Sequence, residues 1–101
     1  MDTIIDKENG MITLVIDEPL NAQHLGDLQS RFDELPLGLG TTVILDCEGM
    51  DYICSSGLRI FLTMQKKATS VGAKLIIRKI QPMVKNVFTM TGFTNLFIFE
   101  D

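Results

Sequence analysis

One junction, where a short apolar run meets an amphipathic stretch, most constrains the fold this chain can adopt. Thr42-Val43-Ile44-Leu45-Asp46 is β-branched, apolar and uninterrupted, and so reads as a central strand covered on both faces. Further on, Leu58, Phe61, Leu62, Gln65 and Ala68 recur at helical spacing, with apolar side chains on most of one face. Between them lie Asp51-Tyr52-Ile53-Cys54 and the small-residue turn Ser55-Ser56-Gly57. The helix is expected from about Ser56 to Val71, with Gly72 as its stop and Lys66 and Lys67 near the negative end of its dipole. The two serines fall at or just before its start. A hydroxyl there can cap a first-turn amide, and the positive end of the dipole tolerates a phosphate.

The remaining segments fit around that junction. Thr3–Lys7 reads as a short strand closed by Glu8-Asn9-Gly10, since Asn-Gly is a strong hairpin signal. Met11–Asp17 alternates Ile12, Leu14 and Ile16 with Thr13 and Val15, as a second strand does, and Pro19 breaks it. From about Ala22 to Glu34, Leu25, Leu28, Phe32 and Leu35 form one face of an amphipathic helix, with Asn21 as its expected N-cap. Lys74–Arg78 contains Leu75-Ile76-Ile77, another buried strand. Pro82 suits the first turn of a third helix, with Met83, Val84, Val87, Phe88 and Met90 expected on its apolar face. After Gly92, Leu96–Phe99 reads as the last strand. The order β-β-α-β-α-β-α-β predicts one α/β domain over residues 1–101, with an N-terminal hairpin, three main helices and a mostly parallel sheet.

Charge and composition exclude several classes of function. The formal charge of −4 argues against a nucleic-acid footprint, which is basic. Apolar runs such as Leu96-Phe97-Ile98-Phe99 are too short to insert across a membrane, and no secretory signal opens the chain. Cys47 and Cys54 form neither a disulfide framework nor a metal site, which points to a cytoplasmic domain with free thiols and no metal. No glycine motif for phosphate binding supports a nucleotide, so no cofactor is expected.

Local chemistry offers two enzymatic alternatives. Cys54 at a helix start could be an activated thiol, but it needs a base, and His24 is the only histidine. A serine hydrolase lacks its G-x-S-x-G elbow. Cys47 reads as packing and Arg59 as an exposed helix charge; Met50, Met64, Met83 and Met90 could mark an adaptable binding surface, but most of them read as core filler.

The run Asp46-Cys47-Glu48-Gly49-Met50-Asp51-Tyr52-Ile53-Cys54-Ser55-Ser56-Gly57-Leu58 resembles the STAS domain, the fold of bacterial anti-sigma factor antagonists. Ser70-Val71-Gly72-Ala73-Lys74-Leu75 is similar to that family's helix-to-strand turn. Pro82-Met83-Val84 through Thr91-Gly92-Phe93 is similar to its last helix and exit, so the likeness covers essentially the whole chain. The resemblance implies a phosphorylation-controlled binding module that is not an enzyme. Its partners are an anti-sigma factor that is also a serine kinase and a phosphatase that resets it. The acceptor carried over is Ser56, with Asn21, Cys54, Ser55, Gly57 and Leu58 around it on the partner surface. Two positions depart from the family pattern: Cys54 stands where it usually has Asp, and Asn21 where it often does. Both departures favour an alternative, a STAS scaffold subunit that is not phosphorylated, docked for instance on a lipid transporter.

Overall fold

A computed structural model describes residues 1–101. In chain order the elements are β1 (Asp2–Asp6), β2 (Met11–Val15), α1 (Leu25–Asp33), β3 (Thr42–Asp46), α2 (Ser55–Ser70), β4 (Lys74–Arg78), α3 (Pro82–Met90) and β5 (Ile98–Glu100). One sheet contains all five strands in the order β1-β2-β3-β4-β5. β1 runs antiparallel to β2, and the remaining pairs are parallel. This is the expected α/β order, with an opening hairpin and three helices.

Side chains alternate across a sheet, so the strand register sorts every residue to one face. One row runs Thr3, Leu14, Leu45, Ile77, Phe99, and a second runs Ile5, Ile12, Val43, Leu75. Most of these residues join the main core with Leu28 and Phe32 of α1, Phe61 and Met64 of α2, and Val84 and Phe88 of α3. Edge-to-face rings fasten the far end: Phe88 lies 5.7 Å from Phe61 and 5.4 Å from Phe97 between centroids. All three helices therefore pack on the same side.

The row between those two runs Ile4, Thr13, Ile44, Ile76, Ile98 on the opposite face. Ile44 and Ile76 are buried yet stand apart from the main core cluster, and Ile4 and Ile98 are 59% and 41% exposed. No helix covers this side. The expectation that Thr42–Asp46 is covered on both faces is thus corrected. A central strand is shielded by its neighbours even on an open face, and Ile44 lies between Thr13 and Ile76.

Other expectations shift locally. The hairpin connection is wider than a two-residue Asn-Gly turn. Asp6 pairs with Met11, and Asn9 donates to Asp6 from its backbone at 3.2 Å and from its side chain at 2.8 Å. Those bonds hold the Asp6 carboxyl below its usual pKa. Met83 and Met90 are 81% and 79% exposed, not core filler, because α3 buries the stripe of Val84 and Phe88 instead. Met50 and Met64 do fill the core. The last strand begins at Ile98 rather than Leu96: Thr94–Leu96 form a 3-10 turn that delivers Phe97 to the aromatic cluster.

Candidate functional site

Loops at the carboxyl ends of parallel strands are where α/β sheets place their working residues, and here two of those loops are stitched together. The β2–α1 loop meets the β3–α2 loop in a short parallel bridge between Leu20 and Ile53. The Leu20 amide donates to the Tyr52 carbonyl at 2.7 Å, and the Cys54 amide donates to the Leu20 carbonyl at 3.1 Å. Asn21 follows Leu20 and Cys54 follows Ile53, so the bridge sets these two residues side by side.

Two glycines permit the close approach. A Cβ on Gly49 would stand 2.8 Å from the Asp17 Cα. One on Gly57 would stand 2.9 Å from the Ile53 Cγ1 and 3.1 Å from the Leu20 Cδ2. Gly57 is thus a packing requirement of the turn, and it is buried. Leu58 is 4% exposed and lies in the core. Neither presents a side chain to a partner.

The serines fall at the start of α2, as expected, but neither serves as its cap. α2 begins at Ser55, and its N-cap is Cys54, whose backbone is extended and whose side chain makes no capping bond. Ser55 and Ser56 are the first two helical residues, exposed, and neither is the cap. The first helical hydrogen bond runs from the Leu58 amide to the Cys54 carbonyl at 3.1 Å. The opening amides of α2 are left without a side-chain cap.

Asn21 is also displaced from its expected role. α1 starts at Leu25 and its N-cap position is His24. The Asn21 Oδ1 instead accepts from the Gln23 amide at 3.0 Å, closing a local turn ahead of the helix. His24 fixes this arrangement. Its Nδ1 lies 2.8 Å from the Pro19 carbonyl oxygen, and its Nε2 lies 2.7 Å from the Glu18 Oε2.

That geometry bears on thiol chemistry. Both ring nitrogens are engaged within their own loop, by the Pro19 carbonyl and the Glu18 carboxylate, so the imidazole is not positioned as a base for Cys54. Cys47 is buried, with its Sγ 3.6 Å from the Leu45 carbonyl oxygen. Burial, and secondarily the Asp46 carboxylate, pushes its thiol pKa far above the usual range, the reverse of activation. No three His, Cys, Asp or Glu side chains gather in a geometry that could hold a metal, and no helix is long and apolar enough to cross a membrane.

One part of this surface escapes sequence reasoning. Tyr52 is 53% exposed beside the turn, and Met83 projects from the start of α3. With Asp51, Ile53, Val84 and Val87 they line a shallow, mainly apolar cleft of about 120 Å³. Pro82 marked the helix start, but no local signal brings Met83 next to Tyr52. Nearby, the Gln81 side chain donates to the Glu48 carbonyl at 2.7 Å, and Lys79 pairs with the Glu48 carboxylate at 3.2 Å. The β4–α3 loop is thereby tied to the same edge.

Known proteins place the chain in a family. The chain is 29% identical over 97 residues to a Bordetella bronchiseptica protein with the provisional name anti-sigma factor antagonist BtrV, covering 96% of this chain and 84% of that protein. The crystal structure of the Thermotoga maritima protein TM1081, provisionally described as an anti-sigma factor antagonist, superposes with a TM-score of 0.84 at 18% identity, over 99% of this chain and 85% of that one. The NMR structure of TM1081 gives a TM-score of 0.78 at 18% identity, over 98% and 78% of the two chains. At that identity the Thermotoga structures speak for the fold alone. The family model described as the STAS domain matches residues 3–101, so this chain belongs to the STAS domain family.

Proposed function

We propose that this domain is an anti-sigma factor antagonist switched by phosphorylation. Unmodified, it binds and sequesters an anti-sigma factor that is also a serine kinase. Phosphorylated on Ser56, it releases that partner, and a cognate phosphatase resets it. The domain is the substrate of this chemistry, not its catalyst, and it works in the cytoplasm. The reading rests chiefly on the position of Ser56: exposed, second in α2, in a turn held to the neighbouring loop by two backbone bonds. Membership of the STAS family and the name of the Bordetella relative supply the partner class.

The switch is local. A phosphate adds about −1.5 to −2 charges at neutral pH, and the uncapped start of a 16-residue helix accommodates it without refolding. The new charge instead spoils the partner surface formed by Asn21, Cys54, Ser55 and Ser56, through repulsion and desolvation. Gly57 and Leu58 support that surface from within. Cys54 and Asn21 bring no carboxylate, so they add no repulsion against the phosphate. The same neutrality favours one rival, a STAS scaffold subunit that is never phosphorylated.

Intact mass and peptide mapping after incubation with ATP and the candidate kinase of the same genome test the proposal. The expected result is one phosphate on Ser56, weaker kinase binding, and no modification of Ser56→Ala. A phosphate on Ser55, or one that survives Ser56→Ala, rejects the assignment. No modification, with binding indifferent to ATP, favours the scaffold.

A further inference from the structure

We propose that the helix-free face of the sheet is the contact surface for a second copy of this chain, related by a two-fold axis parallel to the strands. The apolar part of the face is the row Ile4, Thr13, Ile44, Ile76 and Ile98, exposed at its ends. Ile4, left open on the sheet, gains by stacking on another sheet, whereas Ile44 and Ile76 are already buried and Ile98 of β5 lies at the far edge. What selects a copy of the same chain is the charge on either side of that row.

The register places Asp6 and Lys74 in one flanking row, through Met11 and Thr42. It places Asp2 and Arg78 in the other, through Val15 and Asp46. β1 thus carries two carboxylates and β4 two cations on this face, with Asp46 of β3 and Glu100 of β5 on either side of Arg78. Arg78 is shared with Glu100 at 3.0 Å, whereas Lys74 has no acidic partner within the chain.

A two-fold axis along the strands, between β2 and β3, lays β1 of one copy over β4 of the other. Asp6 then faces Lys74, Asp2 faces Arg78, and Ile4 covers Ile76, each contact occurring twice. The alternative in-plane axis, across the strands, lays β1 on β1 and sets Asp2 against Asp6. Only the first arrangement is self-complementary, as an isologous interface requires.

Four opposed strands of five residues offer roughly 300 Å² of plan area, from spacings of about 4.8 Å between strands and 3.3 Å per residue. Stable interfaces bury about 800 Å² of accessible surface per partner, so the dimer is a weak one. The helices lie on the far side of each sheet. Both Ser55–Ser56 turns therefore stay outside the interface and, because the axis follows the strands, point from the same end of the dimer.

Sedimentation velocity of the full chain from about 5 to 500 µM tests this. The wild type is expected to pass from monomer to dimer, with a midpoint that rises at high salt. Lys74→Asp, at an exposed position with no partner, is expected to raise that midpoint by about tenfold or more. Asp6→Lys does the same, and the charge-swapped double variant Asp6→Lys/Lys74→Asp returns to within about threefold of wild type. Circular dichroism of each variant checks the fold, and Lys74→Asp carries the decision should Asp6→Lys lose its turn. A chain that stays monomeric overturns the proposal. So does a dimer indifferent to Lys74→Asp, or a folded double variant that fails to recover.

Discussion

The two faces of the sheet are built from the same kinds of residue yet do different work. On the covered face Leu14, Leu45 and Ile77 meet three helices and an aromatic cluster, and each is fully buried. On the other face the isoleucine row passes from buried at Ile44 to half-exposed at Ile4 and Ile98 within one sheet width. β-branched apolar runs thus report the pleated geometry of a strand, not the number of layers above it. Stability lives in the covered layer, where dispersion and area burial act from both sides.

The sharpest way to break the covered face is Phe88→Ala. That ring touches Phe61, Phe97 and Phe99, and its loss is expected to cost about 3–5 kcal/mol in urea unfolding. Next comes the rim where the covered layer meets the stitched loops. Gly57→Val forces its side chain into Ile53 and Leu20 and is expected to cost about 1–3 kcal/mol, read as a lower thermal midpoint.

The Cys47 thiol probes the same interior through pH. Its folded pKa is raised and that of the unfolded chain is ordinary, near 9.0. Its contribution is therefore fully present below pH 9 and is lost as pH rises toward the folded value. Stability is expected to fall by up to about 1.4 kcal/mol per pH unit above that point. Cys47→Ala should remove that slope in parallel unfolding curves. The smallest effect belongs to the open face: Ile98→Ser, at a position 41% exposed, should lower the unfolding free energy of the monomer by only about 1 kcal/mol. A loss there as large as that at Phe88 would mean the two faces are not distinct.

The order of elements and the strand–turn–helix at Ser55–Gly57 were legible because periodicity and small-residue turns are local signals. The site's finer anatomy was not. α1 starts three residues beyond Ala22 because His24 is held by Pro19 and Glu18, contacts no helix propensity encodes. Ser55 and Ser56 look like caps in sequence, but the tie of Cys54 to Leu20 hands the cap position to the cysteine. Met83 and Met90 share the composition of a core stripe, and only the direction in which α3 packs exposes them. The Tyr52–Met83 cleft joins segments distant in the chain.

Gly49 against Asp17 and Gly57 against Leu20 also set rules for how such a domain can vary. A larger residue at either glycine needs the opposite loop to retreat, so residues 17–21 and 49–57 can only drift in step. Transplanting the serine turn into another domain of this family without its partner loop would carry the letters of the motif and lose its shape. The unit to be inherited, or grafted, is the pair of loops.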